Sequence, residues 1–140
     1  MLIDDNLGEK IIIKAALKKN NAENISLEVF QNPLIALDHI KELLKTKNGK
    51  KELPDLIFLD LNMPEMNGCD VLKILKKIKA LRTIPIVMVT TSDLESDLLK
   101  CYQAHANSIM QKSMNFDDYV DMIEISIKYW LQYSFSIGVK

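Results

Sequence analysis

Short apolar runs rich in β-branched residues alternate along this chain with longer segments whose apolar positions recur at helical spacing. The runs are MLI (1–3), SLEVF (26–30), DLIFL (55–59), IPIVMVTT (84–91) and SIMQ (108–111). Between them the spacing predicts helices over about 8–20, 33–46, 68–79, 93–105 and 115–133. Asn32-Pro33 reads as an N-cap followed by proline at the first helical position, and Ser92 or Asp93 as the cap of helix four. Helix three carries the apolar residues Val71, Leu72, Ile74, Leu75 and Ile78.

Five strands alternating with five helices imply βαβ units and an α/β, doubly wound parallel sheet covered on both faces. The unbroken apolar character of LIFL and IPIVMV agrees, because central parallel strands are buried on both sides. In such sheets ligands sit outside the carboxyl ends of the strands. The polar residues fall there: Asp4 and Asp5 end strand one, Asp60 strand three, Thr90 and Thr91 strand four, and Lys112 strand five.

Three carboxylates gathered at one sheet edge repel one another unless a positive charge compensates. A hard cation such as Mg²⁺ takes oxygen ligands, and one or two carboxylates with a backbone carbonyl suffice. A cation, a spare carboxylate oxygen, a hydroxyl and an ammonium group together suit a phosphoryl group. Composition narrows the field. The 140 residues are 48% hydrophobic and 26% charged with net charge −1, which fits one globular domain with no basic footprint for nucleic acid. The acidic start MLIDDNLGEK does not read as a signal peptide, and no apolar run approaches a membrane span, so a cytoplasmic location is expected. Cys69 and Cys101 stand far apart without a CxxC pattern and read as reduced, structural thiols.

The motifs IDDN (3–6), DLIFLDLNMPEMNG (55–68), PIVMVTTS (85–92) and the lysine of SIMQKS (108–113) resemble the receiver domain of two-component response regulators. The resemblance spans nearly the whole chain, with the four motifs in the right order at the right strand ends. It implies a flavodoxin-like fold with strand order 2-1-3-4-5. It makes Asp60 the phosphoacceptor and has Asp4, Asp5, Asp60 and the backbone carbonyl of Asn62 hold Mg²⁺ or Mn²⁺. Thr90 becomes the switch hydroxyl and Lys112 the phosphate-contacting lysine, while Pro64 and Gly68 shape the loop after Asp60. Asn62 and Ser92 match the two positions that tune phosphate lifetime. Neither is acidic or basic, so a fairly long-lived phosphoryl group is expected. The basic loop KTKNGKKELP and the carboxyl end IKYWLQYSF are similar to those of stand-alone regulators paired with cyanobacterial phytochromes.

Two departures stand out. Ile109 occupies the strand-five position where the family usually has an aromatic, and Ser113 follows the lysine in place of a proline. A cis bond before a residue other than proline costs about 2.5–4 kcal/mol, so that peptide either relaxes to trans or stores strain.

Other readings fail on particular residues. An EF-hand loop starting at Asp60 would need glycine where Glu65 stands and an acid where Val71 stands. A phosphohydrolase of the haloacid-dehalogenase type, the alternative that shares an aspartyl phosphate, needs a second acid where Asn62 stands. His39 and His105 have no partner at ligand spacing, and the lysine-rich segments read as solvated faces. Met63 and Met66, flanking the loop after Asp60, are read as exposed.

Placed on a wheel of 100° per residue, the last helix gathers Asp117, Asp118, Asp121, Glu124, Lys128 and Gln132 on one side. Its apolar remainder spans roughly 200°, wider than a core-facing stripe needs. The surplus is Met122, Tyr129 and Tyr133, to be covered either by the tail SFSIGVK or by a partner or second copy. The expectation is a single receiver domain over 1–140 with no effector. It takes its phosphoryl group from a histidine kinase or phosphotransfer protein. Its output runs through a helix 4/strand 5/helix 5 surface, by partner binding or as a homodimer, with no nucleic acid and no membrane involved.

Overall fold

A computed structural model of the chain describes residues 1–22 and 24–135. In chain order the elements are β1 (Leu2–Ile3), α1 (Leu7–Lys19), β2 (Val29–Phe30), α2 (Pro33–Lys45), β3 (Ile57–Asp60) and α3 (Gly68–Lys77). They continue with β4 (Ile86–Thr90), α4 (Glu95–Gln103), β5 (Ser108–Gln111) and α5 (Phe116–Lys128). The five strands form one parallel sheet in the order β2-β1-β3-β4-β5.

Alternation along the central strands builds two cores. Ile57 and Leu59 of β3 with Ile86 and Met88 of β4 face Ala36, Leu37 and Ile40 of α2, Leu72 and Leu75 of α3, and Cys101 of α4. Phe58, Val87 and Val89 face the other way, against Ile12, Ile13 and Ala16 of α1 and Tyr119, Ile123 and Ile127 of α5. Residues pointing to opposite faces are both buried because helices cover both sides, which is why LIFL and IVMV read as continuous apolar runs.

Asparagine starts four of the five helices. Asn6, Asn32, Asn67 and Asn115 each accept a hydrogen bond from a backbone N–H in the first turn, at 2.8–3.0 Å. Helix α4 differs from expectation: neither Ser92 nor Asp93 caps it, and Leu94 precedes its first residue with no side-chain cap. Ser92 Oγ instead accepts from Leu94 N at 3.3 Å, so the chain makes a local turn before the helix begins. The last helix departs as well. After Lys128 the α-helix widens into a π turn, Tyr129–Tyr133, closed by Ser134 N donating to the Tyr129 carbonyl at 2.7 Å.

Three further readings are corrected or resolved. Cys69 and Cys101 are joined in a disulfide with their Cα atoms 5.3 Å apart, where separate reduced thiols were expected. Their 32-residue separation hid the approach, because the sheet brings the start of α3 beside α4. Met63 is buried and Met66 half-buried against the first core, so the loop after β3 folds inward. Among the described residues no peptide bond is cis, so Lys112–Ser113 is trans. The tail expected to fold over α5 falls largely in 136–140, outside the described residues.

Candidate functional site

The carboxyl ends of β1, β3, β4 and β5 meet at one edge of the sheet. Asp4 and Asp60 are buried there and Asp5 is exposed, with carboxylate oxygens of all three within 4.8 Å of one another. The parallel register aligns these ends: Ile3 pairs with Leu59, Asp60 with Val89, and Thr90 with Gln111. Lys112, one residue past β5, donates its backbone N–H to the Thr90 carbonyl at 2.8 Å and turns its side chain into the acid cluster.

Lys112 is the centre of the site's charge. Its Nζ lies 2.8 Å from Asp4 Oδ2, 3.1 Å from Asp60 Oδ1 and 3.2 Å from Glu9 Oε1. The other oxygen of Asp4 accepts from Asn6 N at 2.8 Å. Burial pushes the Asp4 carboxyl up to about 6 against the pull of Lys112, and burial likewise raises Asp60. For Lys112, burial acts to lower the pKa, but the Asp4 hydrogen bond and the surrounding carboxylates outweigh it, so the ammonium titrates above the ordinary lysine value. Lys112 is set against three acids, Asp4, Asp60 and Glu9, with the exposed Asp5 beside them, and oxygen ligands gathered in this way suit a hard cation.

The remaining predicted residues frame this cluster. Thr90 is buried beside it, and its Oγ1 accepts from Ser92 N at 3.0 Å. Asn62 and Pro64 lie exposed on the loop after β3. Gly68 closes that loop: its N–H donates to the Leu61 carbonyl at 2.7 Å, and a Cβ there would sit 2.0 Å from the Asp60 carbonyl oxygen. Ile109 is half-buried against the first core and brings no polar group to the site. Met122, Tyr129 and Tyr133 lie well away from the acids. Tyr129 and Tyr133 are exposed and Met122 half-exposed, and Met122 and Tyr129 line a shallow groove between α5 and β5 with Met110 and Ile125.

Two residues at the site escaped the sequence reading. Glu9, in the first turn of α1, is buried with one oxygen toward Lys112 and the other accepting from Tyr119 Oη at 2.6 Å. An acid in a first helical turn ordinarily reads as a partner of the helix dipole. The available signal was its place on the stripe of Ile12, Ile13 and Ala16, which faces the core. Tyr119 falls on the apolar side of the α5 wheel, and its buried hydroxyl requires a partner. Ile125, on the exposed side of α5, was also missed.

A doubly wound sheet with an acid cluster and a lysine at its carboxyl edge is the arrangement expected of a receiver domain. The profile of the response regulator receiver domain matches residues 1–124, and the chain belongs to that family, whose members act in two-component signalling. The probable methanogenesis regulatory protein FilR2 of Methanothrix harundinacea is 31% identical over 138 residues, covering 99% of this chain and 86% of that protein. Response regulator Rcp1 of Synechocystis sp. is 30% identical over 94% of this chain and 88% of its own length. A crystal structure of the Mn²⁺-bound form of Rcp1 superposes with a TM-score of 0.82 at 28% identity, covering 98% of this chain and 96% of that one. The phosphorylated cyanobacterial phytochrome response regulator RcpA does so with the same score and coverage at 26% identity.

Proposed function

We propose that this chain is a single receiver domain that accepts a phosphoryl group on Asp60 from a phosphohistidine of a histidine kinase or phosphotransfer protein. The observation that carries the reading is Asp60 itself, a buried carboxylate at the end of a central strand, 3.1 Å from Lys112 and clustered with Asp4 and Asp5. In the transfer, a carboxylate oxygen of Asp60 attacks phosphorus. The new P–O bond forms as the P–N bond to the donor imidazole breaks, and the imidazole leaves with that electron pair and takes up a proton.

The acids fit a divalent cation, because three carboxylate oxygens converge within 4.8 Å with only one ammonium to offset them. Asp4, Asp5, Asp60 and the Asn62 carbonyl would hold Mg²⁺ or Mn²⁺. Such an ion supplies neutralisation of the charge on the transferring phosphoryl oxygens. That the Rcp1 structure is of an Mn²⁺-bound form agrees with this donor set. Lys112 neutralises the product from the other side, and the Thr90 hydroxyl turns its proton toward a phosphoryl oxygen. Asn62 and Ser92 offer no acid or base to an attacking water, so the adduct outlasts seconds in the purified protein.

Incubation with acetyl phosphate and Mg²⁺ followed by intact mass tests the assignment. One added phosphoryl group is expected, lost in Asp60→Asn and without the cation. Continuous release of phosphate with no lasting adduct would instead mark a hydrolase and overturn the proposal.

A further inference from the structure

The geometry points to Glu9 as a positioning residue for Lys112, and to the Glu9–Tyr119 hydrogen bond as the link by which Lys112 reports its state to α5. This rests on Asp60 being the phosphoacceptor. Lys112 Nζ is hydrogen-bonded to Asp4 at 2.8 Å and ion-paired with Asp60 at 3.1 Å and Glu9 at 3.2 Å, so three carboxylates share its one charge. A phosphoryl group on Asp60 brings further acceptor oxygens and about −1.5 to −2 charges. As Lys112 turns toward the new oxygens on Asp60, its charge is drawn away from Glu9, which holds it by an ion pair alone. Asp4 and Asp60 stay engaged with the acid cluster, whereas Glu9 stands outside it and holds Lys112 at the longest of the three distances.

Releasing Glu9 has consequences because Glu9 is buried. A buried carboxylate that loses its cation must find other partners or move toward water. Its other oxygen is tied to Tyr119, whose phenol keeps its proton because burial and then the neighbouring carboxylates raise its pKa. Tyr119 lies in the first turn of α5 and continues along one buried stripe through Ile123 and Ile127. A movement of Glu9 therefore pulls on the amino end of α5, and the helix carries it to Ile125 and Tyr129 on the exposed side. Ile109, with no hydroxyl or ring, offers no polar route of its own through β5.

The alternative is that Glu9 and Tyr119 merely bind α1 to α5. Tyr119→Phe separates the two readings, since it keeps the ring in the core and removes only the hydroxyl. The measurements are adduct occupancy by intact mass after acetyl phosphate and Mg²⁺, and the response of α5 by hydrogen exchange and by fluorescence of Trp130, the single tryptophan. The wild type is expected to form the adduct and change at α5. Tyr119→Phe is expected to reach the same occupancy with an α5 change at least fivefold smaller. In Glu9→Gln, Lys112 has one carboxylate fewer to serve, so the adduct is expected to last at least threefold longer with a similarly reduced α5 response. An α5 response of wild-type size in both variants at full occupancy overturns the inference, as does a wild-type adduct that leaves α5 unchanged. A wild type that takes no phosphoryl group overturns the Asp60 reading instead, and the mass distinguishes that failure from uncoupling.

Discussion

Gly68 shows how little room a single residue has beside the site. A methyl group there would sit 2.0 Å from the Asp60 carbonyl oxygen and 2.9 Å from Leu61 Cα, both backbone atoms that cannot step aside. The close approach is needed because the loop after β3 must return at once into α3 while Gly68 N–H bonds the Leu61 carbonyl. Gly68→Ala is expected to lower stability by about 2–3 kcal/mol, the scale of forced overpacking. Urea denaturation measures this, and the displaced Asp60 should also lose phosphorylation by acetyl phosphate. A fully stable, fully phosphorylated variant would contradict the close approach. Asp60, Asp5, Thr90 and Lys112 were legible from the chain as polar residues ending apolar runs. Glu9 was not, because an acid in a first helical turn has an ordinary explanation that only its burial against Lys112 removes.

At the scale of elements, the disulfide fastens the first turn of α3 to α4. Closing a loop across a separation of 32 residues restricts the unfolded chain by about 3–4 kcal/mol in the entropic account. Under oxidising conditions Cys101→Ser is accordingly expected to unfold at lower urea by an amount near that figure. With excess reductant the variant and wild type should differ far less. Equal stability under both conditions would show that the bond does not form in solution. Reducing compartments keep most thiols apart, so the same pair would stand there as two buried thiols in contact. The helix lacking a side-chain cap, α4, is also the one this bond holds, and Leu94, Leu99 and Tyr102 on and before it are exposed.

The whole molecule places its acid cluster at the carboxyl edge of the sheet and leaves an apolar surface along α5. Ile125 on α5 and Tyr129 and Tyr133 in the π turn after it are 66%, 54% and 73% exposed, which leaves large apolar side chains on the solvent side of this end of the chain. A partner or a second copy of the chain is the occupant expected from the sequence for this surface, and self-association is the version that can be measured directly. Sedimentation of the acetyl phosphate-treated protein should show a dimer that Ile125→Asp returns to monomer. A monomer at all accessible concentrations, with and without phosphate, would refute self-association.

The sequence by itself determined the class of fold and most of the site. Alternating short apolar runs and helical periods allow little besides a doubly wound parallel sheet, and a polar residue ending a buried strand is visible without coordinates. The strand order came from resemblance, and the sheet confirms it. Tertiary structure alone decided what depends on distant segments meeting: the Cys69–Cys101 bond, the inward turn of Met63, and the buried contact of Glu9 with Lys112 and Tyr119. Periodicity records which face of an element is apolar. It does not record which polar atom on one helix lies opposite which on another, because that is set by how the helices dock on the sheet.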